Sequence, residues 1–458
     1  MLLIISPLSA LLLALEGRLL FGITARNCRE HAIAWSLGLP LGTLVNALIF
    51  FILHLAGISF TAVSVGIAHG VILLILGTLF LRKAFLPPLP RVDGVQDSIR
   101  NQKLKISLVS LCITLITLTL LSAFIYTTVL PSFYWDTFTH WAMRAKQSLY
   151  AGSFITEGII QPQYPILLHS LMMLPAVFAG WYDQWVPLMT FLLSLSQILS
   201  IFLIIRKQHS FQVALITLTL LLAVPLVAIH LRQGYADIPV TFFILLSALF
   251  LDTWSKEHST VLLTLSALLC AAAAWTKFEG LYFGILPWVG IVGWKFLSVT
   301  MRSPAYRDGS TVLTMTRWAS LSSLLLTLSL SLVWPLYAFL SGMNPSPHPI
   351  AFAWHIDAFP MILKSLFVLG SFGLHWWAIL TTSITLLIVE RKRIFELATQ
   401  YPSLIWGDLA LLLIIAIYLF TNESEGLTVG HNFSRAMILP TLLYTQTLVI
   451  IYLTKQRK

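Results

Sequence analysis

A short segment of this sequence, Tyr134–Lys146 (YWDTFTHWAMRAK), combines acidic, basic and aromatic residues directly after a long apolar run. Charged groups are costly in a membrane, so their presence beside apolar runs indicates a function. If the segment is a helix, its polar residues and its apolar residues separate onto two faces. The polar face carries Asp136, His140, Arg144 and Gln147, and the apolar face carries Phe138, Trp141, Ala145 and Leu149. We therefore predict an amphipathic surface helix that presents an acid, an imidazole and a guanidinium to a water-filled cleft, with a simple interfacial anchor as the alternative.

A second acid, Asp237, lies in the segment RQGYADIPV between two apolar runs. Pro239 is typical of the first turn of a helix, and an aspartate just ahead of it can cap that helix. The functional alternative is a site for a divalent ion or an acceptor hydroxyl, formed together with Arg232 and Tyr235. The sequence leaves both interpretations open.

Two further segments place basic residues at the ends of apolar runs. WTKFEGLYF holds Lys277 and Glu279, which form either a solvated hairpin turn or a phosphate-binding site. HNFSRAMILP begins with His431 and holds Arg435 within apolar sequence, where a guanidinium either snorkels or pairs with a carboxylate or a phosphate. No HxxxH or HExxH spacing occurs, so spacing alone supports no metal site.

The composition indicates a membrane protein. The chain of 458 residues is 58% hydrophobic and only 10% charged, and its mean hydropathy is +0.87. Successive apolar runs approach the ~20 residues that span a bilayer. The net charge of +10 does not indicate nucleic-acid binding, because the basic residues are scattered among short loops. Cys28, Cys112 and Cys270 are isolated and imply neither disulfides nor a metal site.

The apolar runs predict an all-α polytopic membrane protein with about 12–14 transmembrane helices. The predicted spans are residues 2–20, 33–54, 61–81, 106–130, 184–205, 211–230, 238–253, 259–275, 281–297, 318–340, 375–390, 403–420 and 434–453. We interpret the first as a retained helix rather than a signal peptide, because no basic region precedes it. The basic, proline-containing loop Arg82–Lys105 is cytoplasmic by the positive-inside rule, which places Asp136 outside.

The run Tyr164–Gly180 decides the rest of the topology. It is short, holds His169 and is broken by two prolines. If it crossed the membrane, Arg206 and Lys207 would lie outside, against the positive-inside rule. We therefore predict that it dips into the outer leaflet and returns. The segment Ser341–Phe359 is then an outer loop whose composition indicates a cover over a site.

This topology brings the polar chemistry to one external face. Residues 1–105 form three helices and a basic cytoplasmic loop, whereas residues 106–458 contain every external acidic or basic site. Besides Asp136, the external charged and imidazole groups are Arg144, Lys146, Arg232, Asp237, Lys277, Glu279, Asp357, Lys364 and Arg435, with His140, His169, His230, His355 and His431. Mostly uncharged spans thus carry their reactive groups to the same side.

The motifs of the second region, taken in order, resemble the GT-C superfamily of polytopic glycosyltransferases, and most of all its bacterial family-39-like members. They are WDxxxxWxxRAK, YPILLHS, GYADIPV, TKFEG and an arginine just inside the final span, within about residues 106–453. The resemblance implies that Asp136 is the catalytic base or orients the acceptor, and that Asp237 is the second acidic position. It also implies that Lys277 and Arg435 bind the phosphate of a lipid-linked donor. Thr137 stands where many relatives carry a second acid, which weakens a carboxylate-pair metal site.

The sequence therefore predicts an enzyme, a glycosyltransferase of a bacterial inner membrane. It would move a sugar from a polyprenyl-phosphate donor to a hydroxyl of a lipid, glycan or protein on the extracytoplasmic face, with a divalent cation such as Mg²⁺ or Mn²⁺ left open. The predicted substrate-binding residues are His140, Arg144, Lys146, Tyr164, His169, Arg232, Tyr235, Lys277, Glu279, His431 and Arg435, beside catalytic Asp136 and Asp237. A transporter or flippase for a lipid-linked glycan is the main alternative and a structural membrane subunit the third, although no inverted repeat is evident.

Overall fold

The computed structural model describes residues 2–25, 31–84, 106–131, 134–302, 311–343, 351–368, 370–421 and 432–455. Helices dominate these ranges, and β pairing within them is limited to an isolated antiparallel bridge between Phe352 and Thr421. The predicted all-α fold class is confirmed.

The described residues form twenty α-helices, numbered α1 to α20 in chain order. Helices α1 to α10 are Leu2–Thr24, His31–Ser36, Gly38–Leu55, Ala62–Ala84, Ile106–Val129, Met143–Ala151, Leu167–Ala179, Trp185–Gln208, Phe211–Leu222 and Pro225–Gln233. Helices α11 to α20 are Asp237–Glu257, Thr260–Thr276, Leu286–Arg302, Thr311–Leu340, Ala358–Phe367, His375–Val389, Ile394–Gln400, Pro402–Phe420, Asn432–Ala436 and Ile438–Lys455. Short π-helical segments, Thr137–Ala142 and Gly280–Ile285, lead directly into α6 and α13.

The membrane-spanning elements agree with the apolar runs of the sequence. Ten described helices are long and apolar enough to cross a bilayer, or eleven if one bent pair counts as a single span. Two more predicted spans correspond to α12 and α16, which are apolar but only 17 and 15 residues long. The protein is therefore a multi-pass membrane protein.

The predicted continuous span 211–230 is wrong in detail. Helix α9 ends at Leu222, and α10 begins at Pro225 after a bend of 75°. Proline cannot donate a backbone hydrogen bond within a helix, but its fixed φ suits the first helical position, so Pro225 ends one helix and starts the next. The bend gives α10 its own direction, and α10 leads into the turn before Asp237.

Helix α7, which corresponds to the predicted re-entrant run, is a short helix surrounded by protein. Its 13 residues extend about 20 Å, less than the ~30 Å of a bilayer core. Residues 167–176 are all buried, including His169. Its length agrees with a segment that enters one leaflet and returns, and this topology remains a prediction.

Cysteine labelling from outside the cell tests that topology. In a variant with the three native cysteines replaced by alanine, we expect Glu157→Cys and Asp183→Cys to react with an impermeant maleimide added to intact cells. Arg206→Cys, at the exposed far end of α8, should react only after the membrane is permeabilised. Labelling of Arg206→Cys on intact cells, with Asp183→Cys protected, would contradict the shared external face.

A buried hydrogen bond between an acid and an imidazole joins α1 to α4 within the membrane-spanning region. Glu16 Oε1 and His69 Nδ1 are 2.7 Å apart, and both side chains are almost fully buried. The neighbouring Gly17 packs so closely against Gly38 of α3 that a Cβ there would clash with the facing backbone. Small residues allow helices to approach closely in membranes, and this close packing encloses the pair.

Loss of one member of this pair should destabilise the protein more than loss of both. Removing one partner of a buried hydrogen bond leaves the other polar group unsatisfied and costs about 1–3 kcal/mol, whereas apolar replacement of both partners can be nearly neutral. We expect Glu16→Leu to lower the thermal unfolding temperature of the detergent-purified protein, and Glu16→Leu with His69→Leu to recover most of the loss. If the losses of unfolding temperature measured for Glu16→Leu alone and for His69→Leu alone simply add in the double variant, the pair contributes nothing to stability.

Candidate active site

Four segments that are distant in the sequence meet at one end of the helical bundle. Asp136 directly precedes the π-helical segment Thr137–Ala142, and Asp237 is the first residue of α11. Lys277 directly follows α12, and Arg435 lies in α19. Their side chains form one cluster of ion pairs.

Arg435 connects the two acids. Its Nη2 and Nε lie 2.9 and 3.1 Å from Asp237 Oδ2, and its Nη1 donates to Asp136 Oδ2. The guanidinium also lies over the ring of Tyr235, with 4.9 Å from Cζ to the ring centroid. A planar guanidinium can serve two carboxylates at once, which a lysine ammonium does with less directional control. The sequence left two alternatives for Arg435, snorkelling or pairing with a carboxylate or a phosphate. The structure shows pairing with carboxylates.

Asp237 is surrounded by cationic and polar side chains. Lys277 Nζ lies 2.9 Å from Asp237 Oδ1, and His230 Nδ1 lies 3.5 Å from Oδ2. The carboxylate does not cap α11, because no side-chain cap occurs at the start of that helix. The interpretation of Asp237 as a simple helix cap is therefore wrong, because its carboxylate contacts Arg435 and Lys277 instead.

Lys277 is a buried cation between two acids. Its Nζ also pairs with Glu279, and only 5% of the residue is exposed. Burial alone lowers the pKa of Lys277, but the charges of Asp237 and Glu279 outweigh it, so this pKa is raised and the ammonium stays charged. The solvated-hairpin alternative is wrong for Lys277.

The two aspartate side chains differ in their solvent exposure and in the number of groups that they contact. The Asp237 side chain is 7% exposed and contacts three other groups. The Asp136 side chain is 25% exposed and is paired with Arg435. A carboxylate that accepts a proton must reach its substrate, so Asp136 is the better placed of the two to act as a base.

Aromatic rings line the cluster on the side of Lys277. Tyr164 contacts the ring of His140 at 5.9 Å and that of Phe278 at 5.8 Å between centroids. Burial raises the pKa of Tyr164 to about 12, so its phenol stays protonated. Burial also lowers the pKa of His140, although Asp136 opposes this effect, and the imidazole is mainly neutral at pH 7.

Arg144 does not face a water-filled cleft, and its predicted orientation is wrong. It is 1% exposed, its Nη1 donates to the backbone oxygen of Tyr164 at 2.6 Å, and its guanidinium lies over the Trp334 ring. Burial lowers its pKa to about 9. Trp141, predicted on the apolar face of a surface helix, is buried within the protein and stacks on Tyr164. Both residues hold the Tyr164 segment in position from inside the protein.

Other predicted substrate-binding residues have structural partners. His169 bridges the backbone oxygens of Pro165 and His140 at 3.1 Å each, which ties α7 to the π-helical segment. Lys146 is half exposed and lies 4.0 Å from Asp183. Arg232 donates to Ser122 Oγ at 2.9 Å. His431 lies outside the described residues.

The sequence predicts that His230 lies on the external face but indicates no role for it. The tight turn between α10 and α11 brings its imidazole to Asp237, and Gly234 in that turn has a φ of +71°. A Cβ at Gly234 would lie 3.0 Å from Pro187 and 3.2 Å from Thr137, so glycine fits both the backbone conformation and the space. The glycine was visible in the sequence, but the direction of the turn was not.

The acidic pair does not fit a two-carboxylate metal site. Arg435, a cation of the chain itself, lies between Asp136 and Asp237. Across the described part of the chain, no group of three or more His, Cys, Asp or Glu side chains could hold a metal ion. We therefore assign no step of the reaction to a divalent cation.

A small cavity of about 20 Å³ adjoins the ion-pair cluster. Such a volume holds about one water molecule. Polar groups and apolar side chains share its lining, which consists of Asp237, Val240, Thr241, Ile244, Glu279, Phe283, Arg435, Ala436 and Leu439. The cavity thus lies between α11, the segment Gly280–Ile285 and α20, with charged and apolar side chains both in its lining.

Comparisons with known proteins give one structural likeness. No family model matches the sequence, and no curated protein matches it. The chain is similar to the crystal structure of ArnT from Cupriavidus metallidurans bound to undecaprenyl phosphate, with 14% sequence identity and a TM-score of 0.46. The match covers 76% of this chain and 62% of that chain, so this chain spans less than two thirds of the length of that protein.

Proposed function

We propose that this protein is an integral-membrane glycosyltransferase that uses a polyprenyl-phosphate sugar as donor. The observation that carries the proposal is the partly exposed carboxylate of Asp136 paired with Arg435, which shares Asp237 with the buried Lys277 at the ends of membrane-spanning helices. A base and a phosphate-binding cation pair are the groups that sugar transfer from a phosphate requires.

The reaction is a single displacement. Asp136 accepts the proton of the acceptor hydroxyl while that oxygen forms a bond to the anomeric carbon of the donor. The bond from this carbon to the phosphate oxygen breaks, and its electron pair leaves with the phosphate. Arg435 and Lys277 hold the phosphate, which gains negative charge as it departs.

Donor binding has to change the contacts of Arg435. Before the donor binds, Arg435 Nη1 donates to Asp136 Oδ2 and so occupies one oxygen of that carboxylate. A donor phosphate competes for the same guanidinium, because Arg binds phosphate and carboxylate through the same parallel donors. Asp136 would then be released as a base only when the donor is present, while Asp237 keeps Arg435 in place.

A lipid-linked donor fits the position of the cluster. Asp237 and Arg435 both belong to helices that are long and apolar enough to cross a membrane. The adjoining cavity is lined by Val240, Ile244 and Leu439 on the apolar side. A donor with a charged phosphate and a hydrocarbon chain matches a cluster of charged groups at the ends of apolar helices. The external face, predicted from the basic residues, excludes the nucleotide sugars of the cytoplasm.

Transfer of label from a defined donor tests the proposal. Membranes that contain the protein are given a polyprenyl-phosphate sugar labelled in the sugar, and membranes without it serve as the control. We expect a new labelled glycoconjugate that depends on the protein and on Asp136, and no product from a labelled nucleotide sugar once polyprenyl-phosphate sugar synthesis is blocked. A product formed directly from the nucleotide sugar would overturn the proposed donor.

A further inference from the structure

A row of three tyrosines extends from the ion-pair cluster to α5. The hydroxyls of Tyr126 and Tyr134 are 2.7 Å apart, and their rings are stacked with centroids 6.4 Å apart. The ring of Tyr134 meets that of Tyr235 edge-on at 6.2 Å. Arg435 lies over Tyr235, which ends the row at the reactive groups. We call Tyr126, Tyr134 and Tyr235 the tyrosine row.

The tyrosine row is separate from the rings on the donor side. Tyr164 and Phe278 contact each other, and Phe278 lies between Lys277 and Glu279 in the sequence, so this pair belongs with the phosphate-binding lysine. Tyr134, by contrast, precedes Asp136 by two residues. The reactive carboxylate and Arg435 therefore have aromatic rings on two sides, and the side of the tyrosine row is left for the acceptor.

The tyrosines of the row are only partly buried, which distinguishes them from the packed core. Each has an intermediate exposure, whereas Trp141 and Trp334 are almost fully buried. Tyrosine offers a flat apolar face and a hydroxyl on one side chain. The C–H faces of a sugar ring pack against such faces, and its hydroxyls exchange hydrogen bonds with phenols. A sugar ring offers both kinds of contact from one small unit.

We propose that the tyrosine row binds a sugar ring of the acceptor, so that the acceptor is a carbohydrate whose hydroxyl is directed to Asp136. This inference rests on the proposed function and adds the acceptor class to it. Tyr235 and Tyr134 hold the ring nearest to Asp136, and Tyr126 extends the surface toward α5. The carbohydrate belongs either to a glycolipid or to a polysaccharide, since both present the same rings.

Kinetics with matched tyrosine variants test the row. The acceptor is the fraction of wild-type membranes that becomes labelled from the polyprenyl-phosphate sugar. The control is Tyr150→Ala, because Tyr150 is an exposed tyrosine of α6 outside the row. We expect Tyr134→Ala and Tyr126→Ala each to raise the acceptor KM about 3- to 10-fold, the range of an aromatic contact. The donor KM and the kcat should change less than twofold. Tyr134→Phe keeps the ring and should retain most of the acceptor affinity.

Slow hydrolysis of the donor by water, measured without acceptor, reports whether each variant has a folded site. A variant with normal hydrolysis and an unchanged acceptor KM overturns the proposal, as does a kcat loss that Tyr134→Phe and Tyr134→Ala share. Label found in organic-soluble glycolipid or in polysaccharide supports it and identifies the source, whereas label found only in protein overturns it. If wild type itself neither transfers nor hydrolyses the donor, the proposed function has failed, which the wild-type reaction alone reveals.

Discussion

Replacement of Asp136 by asparagine is expected to slow sugar transfer by about 100-fold or more, the contribution typical of a general base. Asparagine keeps the shape of the side chain but cannot accept the proton of the acceptor hydroxyl. Arg435 remains paired with Asp237 in this variant, so the ion-pair cluster keeps its main support. The amount of folded protein in the membrane should therefore stay near that of wild type.

The rate of label transfer, normalised to the amount of protein, measures this effect. Asp183→Asn is a matched control, because Asp183 is a half-exposed aspartate that contacts Lys146 outside the cluster. We expect its rate to equal that of wild type. Transfer by Asp136→Asn at the control rate would remove Asp136 from the mechanism. Asp237→Asn should behave differently and lose folded protein, because the buried Lys277 and the partly buried Arg435 would then lose the acid that they share.

Arg435 variants should lose turnover rather than donor affinity. The phosphodiester of the donor carries one negative charge, and the departing phosphate gains a second, so its partners matter most in the transition state. We expect Arg435→Ala to reduce kcat by about 10²- to 10³-fold, the range found when one preorganised donor is removed. Arg435→Lys should fall between this variant and wild type, since lysine cannot bind phosphate and Asp237 through parallel donors.

Single-turnover rates at saturating donor separate chemistry from binding. Arg393→Ala is the control, because Arg393 forms an exposed pair with Glu396 that contributes little to stability. Lys277→Ala should also be slow at saturating donor. A raised donor KM with kcat unchanged would show that Arg435 and Lys277 bind the donor but do not assist the departure of the phosphate.

The membrane-spanning helices could be predicted from the sequence because each apolar run is a local signal. The same is true of the individual motifs, since a charged residue beside an apolar run stands out wherever it lies. The pairing of Asp136 with Arg435, by contrast, joins residues 299 positions apart. No periodicity reports such a contact, so the sequence indicated the members of the site without their partners.

The orientation of Arg144 could not be obtained from a regular helix. Residues Thr137–Ala142 form a π-helical segment, which has more residues per turn than the 3.6 of an α-helix. Side chains within and after it are therefore rotated away from the positions that a regular helical pattern predicts. Arg144 and Trp141 consequently turn toward Trp334 and Tyr164 inside the protein.

The sequence contains a signal for the bend between α9 and α10, but this signal does not decide whether the helix continues or ends. Pro225 lies within an otherwise continuous apolar run, and proline is tolerated in membrane helices when neighbouring groups satisfy the backbone. Whether the run continues or turns depends on packing against α5, α8 and α11, which lie elsewhere in the sequence. The turn of Gly234 follows from this bend and places Asp237 in the cluster.

Purified protein in liposomes that hold a labelled polyprenyl-phosphate sugar and the native acceptor gives the most direct test of sugar transfer. The products are measured together, as glycosylated acceptor and as free polyprenyl phosphate. Catalysis by this site predicts that both appear in equal amounts, and that both are lost in Asp136→Asn. Movement of the intact donor from one leaflet to the other, with no free polyprenyl phosphate formed, would contradict it and identify a flippase.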